Sequence, residues 1–160
     1  MTGHRLVVDV DYLYKRGLAV GRLRADFAKL RAFVEEEYGH VTSADAYIVR
    51  PSLSSGVDDS DFLLSVADSG YTLHTYRATR DAFSLIRPDI SVAILEARGS
   101  RITLISGARE LAAAVLAHGN VNVVAFDETN SSDIRRVAST FEIIPENIFR
   151  VRRDSPTSGS

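Results

Sequence analysis

The chain has 160 residues, 45% hydrophobic and 25% charged, the balance of one ordinary soluble globular domain long enough to bury its own core. It contains no cysteine, which excludes disulfides, thiolate metal sites and cysteine nucleophiles. A net charge of −2 supplies no overall positive field to draw the chain to nucleic acid, and no apolar run approaches the ~20 residues that span a bilayer.

Hydrophobic periodicity predicts alternating strands and helices. "RLVVDV" places a first strand over Leu6–Val10. A polar segment with Gly17 and Gly21 follows. Leu23, Phe27, Leu30, Val34 and Tyr38 then recur at steps of three and four, an amphipathic helix stopped by Gly39. Ala44–Val49 is the second strand, closed by Pro51 and a Ser/Gly loop. Asp58 or Ser60 caps the next helix, whose apolar face is Phe62, Leu63, Val66 and Ala67 and whose stop is Gly70. Tyr71–Tyr76 is the third strand. Over 79–97, Pro88 is expected to break any continuous helix; Asp89 starts a new one through Ile90, Ala93, Ile94 and Ala97, or the run is a strand. Ile102–Ile105 is a strand, Glu110–His118 an alanine-rich helix ended by Gly119, and "VNVVAF" another strand. Ser131 or Ser132 caps a helix through Ala138, and "FEII" closes the sheet or lies against its edge.

This alternation predicts a three-layer α/β/α domain, Rossmann-like, with a mainly parallel central sheet. The domain is expected over 1–152, followed by a flexible polar tail over 153–160. In such folds ligands collect at the carboxyl ends of the strands. That rule singles out Asp9 and Asp11, the loop after Val49, and Ser106–Glu110.

If the first strand persists far enough, Asp9 and Asp11 lie on one side of an extended chain. Buried carboxylates there need partners or a cation, and with others from neighbouring strands they would give Mg²⁺ or Mn²⁺ hard oxygen ligands. The competing reading has Asp11 capping a turn and only Asp9 buried. Asp58, Asp59 and Asp61 sit where acids complement a helix start, and are read as a solvated helix start rather than a metal row. The four histidines, His4, His40, His74 and His118, show no metal spacing, and His74 is read as structural. No Walker loop, GxGxxG, G-x-S-x-G or H-E-x-x-H is present, and the missing glycine loop after the first strand argues against a nucleotide binder. Arg16, Arg22, Arg24 and Lys29 cluster early and Arg150, Arg152 and Arg153 late, read as a solvated face and a basic tail.

Four stretches carry a resemblance: "RLVVDVDYLYKRG", "ADAYIV…DFLLSVADSGYTLHTY", "RPDISVAILEA", and "ITLISGARELAAAVLAHGNVNVVAF" followed by "SSDIRRVASTFEII". In order and spacing they resemble the NYN domain, a branch of the PIN-like ribonuclease superfamily, over nearly the whole chain. The resemblance implies RNA cleavage by a divalent metal, Mg²⁺ or Mn²⁺, held in a ring of acids. Asp9 matches the first acid and Asp89 the acid of the middle helix. Where the family favours Asp-x-Asp after Ser-Gly, this chain has Ala108, Arg109 and Glu110; Tyr12 stands where asparagine is usual, and Leu95 takes the place of a further helix acid, with Glu96 beside it.

The resemblance thus leaves Asp9, Asp89 and Glu110, with Asp11, as metal ligands and catalytic groups. Arg109 is expected to compete for Asp9 and Asp89 as a salt-bridge partner. Asp9 and Asp89 should face each other across a shallow cleft with Arg109 at its rim. Lys15, Arg16, Arg22 and Arg109 are the implied contacts to single-stranded RNA. Two functions follow: a metal-dependent ribonuclease of weak or lost activity, or a silent NYN-like module that binds RNA, a protein partner or a second copy of itself. The alanines of the 110–118 helix are read as tight packing on the sheet. The N-terminus shows no secretory signal, and the expected location is the cytoplasm, without membrane contact.

Overall fold

The β-branched runs form the centre of one sheet. A computed structural model of the chain describes residues 3–19, 24–79, 82–127 and 131–150. The main sheet contains β1 (His4–Asp9), β3 (Ser43–Arg50), β4 (Thr72–Arg77), β5 (Arg101–Ile105), β6 (Val121–Ala125) and β7 (Thr140–Ile143). Their order is β4-β3-β1-β5-β6-β7, and every neighbouring pair is parallel. Helices α1 (Val10–Ala19), α2 (Phe27–Tyr38), α3 (Ser60–Asp68), α4 (Ala82–Glu96), α5 (Ala112–His118) and α6 (Ser132–Val137) flank it, giving the expected three-layer α/β/α architecture. A two-stranded antiparallel ribbon, β2 (Arg24–Ala25) with β8 (Phe149–Arg150), lies outside the sheet. Among the described residues no helix is long and apolar enough to cross a membrane.

The chain leaves β1 toward β3 and β4, returns through α4 to β5 on the other side of β1, and continues to β6 and β7. Strand order therefore reverses between β1 and β5, which makes their carboxyl ends the topological switch point. These strands are buried on both faces: Leu6, Val7, Val8, Ile102, Leu104 and Ile105 are fully enclosed. Helix α5 packs against α4 and α6 through the buried Ala114 and Val115, whereas Ala113 and Ala117, expected to pack on the sheet, are exposed.

Three elements depart from the sequence reading, each for a local reason. The strand ends at Asp9, and Val10 opens helix α1 where a polar segment was expected; Val10 and Leu13 give that helix a buried apolar edge, and it continues through the buried Gly17. Asp11 is therefore in a helix's first turn and not on an extended chain beside Asp9. Helix α2 begins at Phe27, because the Asp26 side chain caps it by accepting from the Lys29 N–H at 3.1 Å; Leu23 lies outside the described residues. Helix α4 runs unbroken through Pro88. Pro88 and Ser84, one turn earlier, are exposed, so the missing proline N–H falls on the solvent side of the helix. The fully buried Ile86, Ile90 and Ile94 hold the helix to the core across the proline. The tail over 153–160, with Arg152 and Arg153, and the RNA-contact candidate Arg22 lie outside the described residues.

At the amino ends of the strands a neutral polar chain crosses the sheet. The His4 Nδ1 lies 3.1 Å and 3.2 Å from the carbonyls of Gly39 and His40, which makes it the protonated nitrogen. Nε2 then accepts from the Thr103 hydroxyl at 2.7 Å, Thr103 accepts from Asn122 Nδ2 at 3.4 Å, and Asn122 Oδ1 accepts from Thr140 at 2.8 Å. Burial, assisted by Arg101, holds the His4 imidazole below its ordinary value of 6.5, while the two carbonyls pull the other way. The unfolded chain therefore binds more protons than the folded one just below that value, and stability falls as pH drops through it. The expected result is a midpoint in urea that declines below about pH 6.5 and a slope that His4→Gln flattens. An unchanged slope in the variant would assign the acid sensitivity to other groups.

Candidate functional site

Register places Val8 opposite Ile105, so Asp9 and Ser106 emerge side by side at the switch point. Asp9 is fully buried. Its Oδ1 accepts from the backbone N–H of Tyr12 at 3.2 Å, the bond an N-cap makes to the third residue of its helix, α1. Its Oδ2 accepts from the Ser106 hydroxyl at 2.8 Å and from Arg87 Nε at 2.7 Å. Ser106 in turn accepts from the Ala108 N–H at 3.2 Å, which turns the chain away from β5.

Arg87 is the centre of the cluster. Besides Asp9 it donates through Nη1 to Glu110 at 3.0 Å and through Nη2 to Asp11 at 3.4 Å. Asp11 also faces Lys15, one helical turn on, at 3.6 Å. Burial pushes the Asp9 carboxyl above its ordinary value against the pull of Arg87, Ser106 and the Tyr12 N–H. Burial opposes the charge on Arg87, but Asp9, Asp11 and Glu110 outweigh it and hold the guanidinium above its ordinary value.

A cleft of about 520 Å³ opens over this cluster, lined by Tyr12, Lys15, Arg16, Arg87, Gly107–Glu110, Ser132 and Asp133. Three of the four expected RNA contacts, Lys15, Arg16 and Arg109, thus share one surface. Arg109 is exposed and makes no ion pair among the described residues. Gly107 is required by a close approach: a Cβ there would lie 2.7 Å from the Tyr12 hydroxyl and 3.0 Å from its ring. Tyr12 cannot easily yield, because it is buried against Phe126 and its hydroxyl accepts from the Phe126 N–H at 2.9 Å.

The expected acid ring is corrected in two places. Asp89 does not face Asp9. It is exposed and accepts from the Tyr76 hydroxyl of β4 at 2.6 Å, and burial together with this carboxylate pushes the Tyr76 phenol up. The cation that binds the acids is Arg87, not Arg109. Both corrections follow from the continuity of α4: Arg87 and Asp89 sit about 200° apart around the helix and flank the buried isoleucine stripe on opposite sides.

Among the described residues no three His, Asp or Glu side chains are grouped to hold a metal ion. Asp9 spends its oxygens on three donors, and the guanidinium lies between it, Asp11 and Glu110, so the residues as arranged do not fit a divalent cation. Elsewhere, Asp59 is ion-paired to Arg50 at 2.9 Å, Asp58 accepts from the Ser60 N–H at 2.9 Å, and Asp61 is exposed at the start of α3. His74 bonds Asp45 at 2.9 Å and stacks on Tyr47.

No model of a known protein family and no curated protein matches the sequence. The chain is similar in structure to a protein of unknown function from Vibrio parahaemolyticus, known from a crystal structure, with a TM-score of 0.73 and 19% identity over 93% of this chain and 96% of that one. That likeness is one of fold.

Two outcomes test the site's architecture. Replacing Arg87 by Leu leaves Asp9 buried without its cation, at a cost of about 3–5 kcal/mol near neutral pH. Its folded carboxyl then rises further above the unfolded value, so the variant is stabilised by protonation and loses stability as pH rises through the folded value. Urea titrations should show the gap to wild type narrowing as the pH is lowered; a constant gap would mean that Arg87 acts through its aliphatic stem. Gly107→Ala should cost about 1–3 kcal/mol by overpacking against Tyr12, whereas an unchanged midpoint would show that the tyrosine ring moves aside freely.

Proposed function

We propose that this chain is an NYN-like module of the PIN-like class that binds single-stranded RNA without cutting it. One observation carries the reading: the acids that the family resemblance would assign to a metal are bound by the Arg87 guanidinium, and the Asp89 carboxylate is turned to Tyr76. Hydrolysis of that kind uses a metal held by free carboxylates, and these carboxylates are engaged by a guanidinium. Binding is supported by the cleft at the switch point, where Lys15, Arg16 and Arg109 offer donors to phosphate oxygens. The cytoplasm is the compartment this reading assigns.

Fluorescence anisotropy with labelled single-stranded RNA, run from low to physiological salt, tests the reading. Affinity should fall with salt at a slope of about −0.7 per neutralised phosphate, and Lys15→Ala with Arg109→Ala should weaken binding and flatten that slope by about 1 to 1.5. The RNA should stay intact in Mn²⁺. Metal-dependent cleavage abolished by Asp9→Asn would restore the nuclease, and no binding at low salt would reject RNA as the partner.

A further inference from the structure

Two cavities lie on either side of one side-chain pair at the switch point. We propose that the outer arm of Arg87 is a phosphate-binding group held in reserve by Glu110, and that a phosphodiester displacing Glu110 there carries the RNA from the cleft into a second subsite along α4. This inference rests on the RNA reading and adds to it the path of the strand.

The second cavity has a volume of about 390 Å³ and is lined by Ser84, Arg87, Pro88, Ser91 and Glu110. Among the described residues it shares Arg87 and Glu110, and nothing else, with the cleft of about 520 Å³. Ser84, Arg87, Pro88 and Ser91 recur at helical steps of three and four, so they form one flank of α4. The Arg87–Glu110 bond is therefore the partition between the two spaces. On the far side of it, serine hydroxyls and a guanidinium are donors of the kind that hold phosphate and sugar oxygens.

That partition can open without disturbing the base of the cluster. Arg87 holds Asp9 through Nε at 2.7 Å and Asp11 through Nη2 at 3.4 Å, whereas Glu110 is held through Nη1, at 3.0 Å. The Asp9 side chain is fully buried; that of Glu110 is 53% exposed. An ion pair to so open a carboxylate is weak and screened by salt. Carboxylate and phosphate oxygens both meet the guanidinium fork in charge-assisted hydrogen bonds. Glu110 thus stands in the place of a phosphate. A phosphodiester arriving there exchanges one anion for another, and Arg87 keeps its hold on Asp9.

Anisotropy with a labelled uridine hexanucleotide at low salt is the test, on full-length variants that change one charge each. Glu110→Gln should tighten binding about fivefold or more, because it removes the resident anion from Arg87 and keeps its shape. Asp133 lines the same cleft, is 51% exposed, and pairs with Arg136 rather than Arg87. Asp133→Asn therefore measures the gain from charge alone, expected to be under about twofold. Ser91→Glu should weaken binding about fivefold or more, whereas Val92→Glu, the same charge one residue on and outside the cavity, should not. A gain from Glu110→Gln no larger than that from Asp133→Asn would overturn the exchange, and equal losses at 91 and 92 would overturn the second subsite. Should the wild type bind no RNA, the RNA reading fails by itself and inorganic phosphate decides the rest. Titrated into Glu110→Gln, phosphate should shift the Arg87 side-chain resonances in NMR spectra; unmoved resonances would overturn the anion site.

Discussion

A carboxylate buried at the end of a central strand governs the architecture of this protein. Asp9 closes β1, the strand around which the sheet order reverses, and it has no access to water. Leaving such a charge unpaired would cost several kcal/mol. Three elements supply what it needs: α1 through the Tyr12 N–H, β5 through the Ser106 hydroxyl, and α4 through Arg87. These are the elements that must meet for the chain to cross from one half of the sheet to the other. The ion cluster thus fixes the seam between the two halves as well as the floor of the cleft.

The neighbouring packing serves the same seam. Tyr12 follows Asp9 by three residues, and its ring lies over Gly107, one residue beyond Ser106. Its hydroxyl receives the Phe126 N–H just past the end of β6, so one side chain ties the carboxyl ends of β1, β5 and β6 together. A shorter polar side chain at position 12 would not reach Phe126. Tyr12 therefore has a structural role: it fills space beside the acid pocket, and it requires glycine at 107.

Most of the fold was legible from periodicity. The β-branched runs and glycine stops marked five strands of the main sheet and left "FEII" either closing it or lying against its edge, and the alternation with helices implied a mainly parallel sheet. The misreadings cluster where one strong local signal hid a weaker one. Gly17 masked the Val10–Leu13 edge of α1, and Pro88 masked the Ile86, Ile90 and Ile94 stripe of α4. The second error had the larger consequence. Had 79–97 been read as one helix, its phase would have set Arg87 and Asp89 on opposite flanks, and only one of them could then face Asp9. Asp9, Asp11 and Glu110 meet at one guanidinium, yet nothing local in the sequence shows that position 87 supplies it. That contact spans 78 residues and exists only once the crossover through α4 has formed.

The two ends of the central strands also explain why the site is at one of them. At the amino end, His4, Thr103, Asn122 and Thr140 form a directional chain in which donors meet acceptors within the fold. Its imidazole is held neutral by burial, and a saturated neutral chain has nothing to offer a ligand. At the carboxyl end the groups are charged and only partly enclosed. Asp9 is sealed, but Glu110 is half-exposed, and Arg87 lies on the boundary between them. The buried end of that cluster is committed to the fold, while its outer end meets Lys15, Arg16 and Arg109 in the cleft. A ligand that draws on the outer contacts must compete with Glu110 for Arg87, but it cannot release Asp9 without exposing a buried charge. The cluster therefore permits recognition at its rim and resists rearrangement at its base.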